Sequence, residues 1–394
     1  MKTMHLIWGL LAAALLFLGF ETTALAFHDG GVAHCDGCHT MHNSEDGQSI
    51  IEGGVVGTTG AHLTLGADPG STCLSCHEGS GTYHVFSTNG SNFTPGGDFY
   101  WLTKTFSWQD LGNTITRNGY NFGHNVIAAD FGLVQDPVLS VAPGGTFQSA
   151  WLTCSSCHDP HGKKINKSGP IVASGSYREN WDNFAGEELG NFRLLGDQGY
   201  RAGPGFTFIN RPPIATTPSP FGPGRNETDS SHTDYGQSMS EWCGNCHTGF
   251  VAGAGEHRHA ASNQATMGPT GIDSNYNIYV KTGDLTGTRA TAYLALVPFE
   301  RGTSQPTNTN PRSTQGPDPA SNVMCLSCHR AHASAFPEAG RWDYQADLIA
   351  DSHPQDSDAG ASGGDQIRSY YGRDMVSIFG EGQRSLCNKC HIQD

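Results

Sequence analysis

Beyond residue 20 the chain has no apolar run long enough to cross a bilayer, so a helical membrane protein with several spans is excluded and any membrane attachment would need a partner. Sustained apolar periodicity is also missing: no long segment repeats its hydrophobic residues every 3.6 or every 2 positions, which argues against a helix bundle or a sheet sandwich. Hydrophobic residues make up only 36% of the 394, against 52 glycines and 20 prolines, so the expected architecture is mostly coil with short helices and few strands. Basic residues are scarce, 22 against 37 acidic, and the net charge of −15 makes nucleic acid and anionic lipid poor partners. Finally, no cysteine stands alone. All twelve fall in one repeated motif, leaving none for a lipid anchor or for unrelated thiol chemistry.

That motif is C-x-x-C-H, six times over: Cys35/Cys38/His39, Cys73/Cys76/His77, Cys154/Cys157/His158, Cys243/Cys246/His247, Cys325/Cys328/His329 and Cys387/Cys390/His391. It is the signature of covalent c-type haem attachment. Residues three and four apart share one side of a helical turn, so two thiols can reach the haem vinyl groups while the next imidazole faces the iron. Disulfides or paired-cysteine zinc sites would explain the cysteines but not a histidine after every second one. Six haem clamps therefore leave no cysteine over, and the six histidines named above are the proximal ligands.

A chain so poor in apolar side chains cannot offset the entropy of its own ordering, and six covalently fixed macrocycles would supply the missing core. Without haem the polypeptide is expected to be largely unfolded. Residues 1–26 read as a Sec-type signal peptide: Lys2, an apolar stretch of about 15 residues, then Ala24-Leu25-Ala26 as the cleavage site. Residues 27–394 would then form one exported hexahaem unit, extracellular or periplasmic, which suits haem ligation outside the cytoplasm. First cysteines lie 38, 81, 89, 82 and 62 residues apart, too irregular for a solenoid of one repeated unit.

The other face of each iron needs a second ligand. Of 19 histidines, one lies in the leader and six are proximal, leaving twelve candidates. Three clamps continue as C-x-x-C-H-x-x-H and bring His42, His161 and His332. A residue three places past the proximal histidine stays on that histidine's side of the porphyrin, so it must serve a neighbouring haem or none, the other reading being a surface or propionate-binding histidine. His84, His124 and His259 complete the distal set, with His28 in reserve, while His34, His62, His232, His257 and His353 lie in polar or glycine-rich surroundings and read mostly as surface residues. Methionine, the rival ligand, would raise the reduction potential, but few methionines follow the leader.

Helices are expected near 289–300, around 343–351 and over a turn or two at each clamp, and short strands near 275–283. The proline-rich stretches 211–231 and 303–322 read as surface loops. Asp356 and Asp358 in the acidic loop 351–365 offer two carboxylates to calcium, although the spacing lacks a full set of loop ligands.

Four segments carry a family resemblance: FHDGGVAHCDGCHTMHNS at 27–44, GQSMSEWCGNCHTG at 236–249, KTGDLTGTRATAYLALVPFERGT at 281–303 and SNVMCLSCHRAHAS at 321–334. They resemble the hexahaem outer-surface c-type cytochromes of the OmcS filament, or cytochrome nanowire, family, over nearly the whole mature chain. The resemblance implies bis-histidine ligation at all six irons and end-to-end polymerisation into extracellular filaments. It further implies that His42 ligates a haem of the adjacent subunit. Other multihaem cytochromes would donate electrons, and oxidised metals or electrodes outside the cell would accept them. The chain would thus be an electron carrier, not an enzyme. Two alternatives remain: a monomeric periplasmic shuttle with the same ligation, and an oxyanion reductase, which would need one iron with an open position.

Overall fold

The structure, a computed structural model, describes residues 37–40, 63–80, 84–161, 164–165, 189–218, 226–251 and 260–392. Its first helix, α1 (Pro69–His77), is nine residues long and starts where Asp68 accepts the Ser71 N–H at 2.8 Å with proline at the next position, a strong capping arrangement. The strands β1 (Thr105–Asp110) and β2 (Asn113–Asn118) form an antiparallel hairpin, turned at Leu111 and Gly112 with both φ angles positive. Three smaller antiparallel pairs follow: β3 (Lys164–Ile165) with β4 (Leu189–Gly190), β5 (Arg201–Gly203) with β6 (Phe206–Thr207), and β7 (Ile214–Thr216) with β8 (Asp234–Gln237). The remaining α-helices are single turns or little more: α2 (Met239–Cys243), α3 (Thr248–Val251), α4 (Ile272–Ile278), α5 (Asp365–Ser369) and α6 (Met375–Phe379). Mostly coil with short helices and few strands is thus the observed class.

Several local expectations are corrected. The stretch 289–300 is helical only at Arg289–Thr291; Pro298 cannot continue a helix, and Tyr293, Ala295, Leu296, Val297 and Phe299 are all buried, so no polar face exists for solvent. Around 343–351 only Ile349–Asp351 makes a helical turn. Residues 275–283 open inside helix α4 instead of a strand, with Asp273 and Tyr276, three apart, on its buried side. The stretch 211–231 is no plain surface loop, because it carries strand β7 and a fully buried Glu227.

Apolar side chains gather in three clusters, and one segment, 324–342, feeds them all. Met324 and Leu326 belong to the cluster of Phe192 and Trp242, Ala333 and Ala335 to that of Trp101 and Phe122, and Phe336 and Trp342 to that of Tyr276 and Phe299. Two buried ionic groups lock the same segment in place. Arg117 makes a two-pronged bond to Asp343, at 2.8 and 3.1 Å, and the Glu227 carboxylate receives Arg330 at 2.7 Å and Arg341 at 2.9 Å.

Candidate haem clamps and axial ligands

Each of clamps 2 to 6 is one tight turn. The histidine N–H returns to the first cysteine's carbonyl in four of them, His158 to Cys154, His247 to Cys243 and His329 to Cys325 at 3.0 Å, and His391 to Cys387 at 2.9 Å. Clamp 2 forms the C-terminal end of α1, so its Cys73, Cys76 and His77 share that helix. In clamps 3 and 5 a serine just before the second cysteine tightens the turn: Ser156 Oγ accepts the Thr153 N–H at 3.0 Å and Ser327 Oγ the Met324 N–H at 3.1 Å. None of the eleven described cysteines is in a disulfide; Cys35 of clamp 1 lies outside the described residues, whereas Cys38 and His39 lie within.

Clamps 1, 3 and 5 share a support not seen at the other three among the described residues. The residue after the proximal histidine donates to a later carbonyl, Thr40 to Leu63, Asp159 to Leu194 and Arg330 to Ala339, each at 2.7 Å. Two residues further on the strap returns the bond to the second cysteine's carbonyl, from Leu65 to Cys38, Gly196 to Cys157 and Arg341 to Cys328, at 2.8 to 2.9 Å. Leu63, Leu194 and Ala339 all have positive φ, 61°, 53° and 54°, a conformation unfavourable for residues with a Cβ. These are the same three clamps that read C-x-x-C-H-x-x-H. The strap also aims a carbonyl at the imidazole: His158 Nδ1 lies 2.9 Å from Arg193 O and His329 Nδ1 2.8 Å from Glu338 O. In clamp 4 the carbonyl of Pro143 does the same for His247 at 2.8 Å. An Nδ1–H so engaged puts the ring's lone pair on Nε2, the tautomer that ligates a metal.

Three pairs of imidazoles face one another across different segments. His39 of clamp 1 lies 6.3 Å, ring centre to ring centre, from His161; His158 of clamp 3 lies 6.3 Å from His332; and His247 of clamp 4 lies 6.0 Å from His124. An iron bonded to two imidazole nitrogens at about 2 Å each would hold the ring centres roughly 6 Å apart. His161 and His332 therefore sit against the proximal histidines of other clamps. His124 and His332 are held by one backbone ladder, His124 N–H to His332 O at 2.9 Å, with His332 N–H reaching Gly96 O at 2.7 Å. A side chain at Gly123 would overlap the His332 carbonyl, so the close approach of these strands requires glycine there. Burial, then His158 and His124 beside it, pushes the His332 imidazole down to about 3; burial and His247 push His124 down to about 4. Both rings are neutral at neutral pH, as a ligand must be.

His84 has a buried Nδ1 with no partner and folds back over clamp 2, where Val85 N–H reaches His77 O at 2.9 Å. His28, His42 and His259 lie outside the described residues, as do His34, His62 and His257. Two histidines read as surface residues prove otherwise. His232 is 2% exposed and stacks on Tyr293 at 3.7 Å, and His353 stacks on Trp108 at 3.8 Å while pairing with Asp358 at 2.7 Å. Their glycine-rich and polar neighbours in sequence hid aromatic neighbours in space. Among the described residues no group of three His, Cys, Asp or Glu side chains is placed to hold a metal ion; Asp356 accepts the N–H groups of Gly364 and Gln366, and Asp358 that of Gln355.

Thiols of successive clamps meet. Cys73 and Cys154 are within hydrogen-bonding reach, as are Cys243 and Cys325, and the pairs Cys157/Cys246 and Cys328/Cys390 are close enough to interact electrostatically. This links clamps 2, 3, 4, 5 and 6 in one series. The donor set suits covalent haem: paired thiols, an imidazole with its Nδ1 tied down, and a second neutral imidazole opposite. Arg330 and Arg341 each keep a buried Nη2 with no partner in the protein, donors suited to a carboxylate such as a haem propionate. Among the described residues no helix is long and apolar enough to cross a membrane.

No protein-family model matches the chain. It is 42% identical to the C-type cytochrome OmcS of Geobacter sulfurreducens, with 100% of both chains covered. Its fold superposes on the cryo-EM structure of the OmcS nanowires from Geobacter sulfurreducens with a TM-score of 0.82 at 40% identity, covering 93% of this chain and 100% of that one. The Outer Membrane Cytochrome S Filament from the same organism gives a TM-score of 0.79 at 39% identity over the same shares. With full-length identity at this level and a matching fold, the chain belongs to the OmcS family of c-type cytochromes.

Proposed function

We propose that this chain is an extracellular electron conduit: a hexahaem cytochrome that joins end to end with copies of itself and passes electrons from other multihaem cytochromes to acceptors such as metal oxides. The observation that carries the reading is the set of three imidazole pairs at 6.0 to 6.3 Å, each joining the proximal histidine of one clamp to a histidine from another part of the chain. Bound haem supplies reversible one-electron exchange at iron. The protein's part is to close each iron on both sides, to exclude substrate, and to set the centres close together. On this reading His39 and His161, His158 and His332, and His247 and His124 are axial pairs. His77, His329 and His391 take partners from His84, His42 and His259, with His28 in reserve, and the twelve cysteines fix six haems. Closed irons favour a carrier over a reductase.

The series of touching clamp thiols supports one continuous array, and the segment 324–342, shared by all three apolar clusters, supports residues 27–394 as a single unit. Removal of 1–26 as a signal peptide accounts for export. The relatives solved as filaments support self-assembly, with His42 as the ligand given to the adjacent subunit. His42→Ala tests this: haem content should stay at six while assembly is lost. Filaments formed normally by that variant would overturn the inter-subunit bond.

A further inference from the structure

Between clamps 4 and 5 lies a carboxyl group that the conduit does not use as a ligand. Glu300 is 0% exposed and is pinned by backbone bonds on both sides, with its N–H to Asn322 O at 3.0 Å and Asn322 N–H back to its carbonyl at 2.8 Å. Its Oε1 accepts the Met239 N–H at 2.7 Å, four residues before Cys243, and Asn322 stands three before Cys325. The two clamps also touch directly, through Cys243 and Cys325 and through Cys325 N–H to Ser240 Oγ at 3.0 Å. Glu300 is thus built into the joint between them.

The seam is short of hydrogen-bond donors. Glu300 Oε2, Glu241 Oε2 and Asn322 Oδ1 are buried acceptors, and none has a hydrogen-bond donor. A buried acceptor left so is destabilising. One added proton on Glu300 Oε2 turns an acceptor into a donor and removes the conflict. The groups facing Glu300 are Glu241 from α2, and Asn322 and Cys325 from the approach to clamp 5; the adjacent Arg301 is turned away, its Nε bonding Asp234 at 2.8 Å. No cation therefore offsets the charge of an ionised Glu300.

We propose that Glu300 is a proton-accepting residue that couples protonation to the arrival of an electron at the clamp 4 and clamp 5 centres. This rests on the reading that these clamps hold haems. In balance, one electron from the preceding centre enters the pair while one proton leaves a solvent buffer acid. It passes the half-buried Glu241 and forms an O–H bond at Glu300 Oε2. Oxidation reverses both. The added electron makes the site more negative, which favours the protonated acid, and the proton in turn favours the reduced centre. Burial, then Glu241, raises the Glu300 carboxyl to about 8 even without that electron, so the exchange falls above about pH 8, where the carboxyl of the oxidised protein is ionised.

The test is potentiometric titration of the intact secreted protein, followed by haem absorbance from about pH 6 to about pH 11, with Glu300→Gln and Glu241→Gln. In the wild type the component belonging to clamps 4 and 5 should be flat below about pH 8 and fall in potential as pH rises above it. Glu300→Gln should flatten that component, and infrared redox-difference spectra should lose a protonated-carboxyl band. Glu241→Gln, by removing the neighbouring negative charge, should move the dependence to lower pH. A slope or band that survives in Glu300→Gln, or a window unmoved in Glu241→Gln, overturns the proposal. Should Glu300→Gln not accumulate, the Glu241→Gln shift decides alone. Mass analysis of peptides from clamps 4 and 5 separates the two claims: absence of covalent haem there refutes the reading beneath the proposal, not the proton step itself.

Discussion

Replacing Glu227 by glutamine should loosen the segment that supports clamp 5, by an amount the geometry sets. The carboxylate holds Arg330 and Arg341 at 2.7 and 2.9 Å, and no side chain of the three is more than 2% exposed. Breaking a buried ion pair from one side costs about 3–5 kcal/mol, chiefly because the remaining charge is stranded. Glutamine keeps one acceptor oxygen, so the lower end, about 3 kcal/mol, applies, or roughly a hundredfold in an opening equilibrium. Arg341 also donates to the carbonyls of Leu326 and Ala295, at 2.6 and 2.9 Å, so the opening should reach clamp 5 itself. Hydrogen exchange reads this at two amides, Arg330 and Arg341, which bond to Ala339 and Cys328. Both should lose about a hundredfold in protection, while the β1–β2 hairpin keeps its own. The pH dependence has a definite sign. Burial pushes the Glu227 carboxyl up, but Arg341 and then Arg330 outweigh it and hold the group below its usual value. Its stabilisation is therefore present above the ordinary carboxylate pKa of about 4.3 and is lost as pH falls through the lower folded value. Unchanged protection at Arg330 and Arg341 in Glu227→Gln, or wild-type protection that grows on acidification after correction for intrinsic exchange, would refute the reasoning.

Other outcomes follow from the same geometry. His332→Met should raise the reduction potential of one haem, since methionine in place of histidine stabilises the reduced iron; an unaltered redox titration would remove His332 from the ligands. His124→Ala should leave one iron with an open face and a high-spin signal in electron paramagnetic resonance, and a wholly low-spin spectrum would contradict its pairing with His247. Ala339→Gly should stabilise the clamp 5 strap by about 1 kcal/mol, the left-handed penalty of alanine less the extra entropy of glycine; slower exchange of the Arg341 amide is the expected reading. Arg117→Ala strands a buried Asp343 and should cost about 3 kcal/mol, visible as a lowered denaturation temperature in the holoprotein.

The clamps were legible in the sequence because C-x-x-C-H is a local object: its geometry closes within one turn and needs no distant partner. The mostly-coil class was legible for a related reason, since 52 glycines and 20 prolines leave no room for long periodic elements. The helix rule also implied that His161 and His332 could not reach round to their own clamps' irons. Their rings stand against His39 and His158. What could not be read is what depends on chain return. The straps of clamps 1, 3 and 5 turn at Leu63, Leu194 and Ala339, none of them glycine, so no residue signal marks the left-handed positions. They also begin at very different distances from their clamps, which hid a structural repeat behind irregular cysteine spacing. His232 and His353 are not recognisable in the sequence because the ring that covers the buried His232, Tyr293, and the ring that stacks on the half-buried His353, Trp108, are both far away in sequence. The stretch 289–300 is helical by composition, but from Ala292 onward it is almost wholly buried and has no amphipathic face to hold a helix in register.

The central claim is a continuous array of closed irons running through assembled subunits. Cryo-electron microscopy of the secreted, haem-staining fraction, at a resolution that resolves axial ligands, tests it most directly. The account predicts filaments whose irons lie between His39 and His161, His158 and His332, and His247 and His124, with His42 crossing each subunit boundary. Discrete particles, or any iron held by a single imidazole, would contradict it.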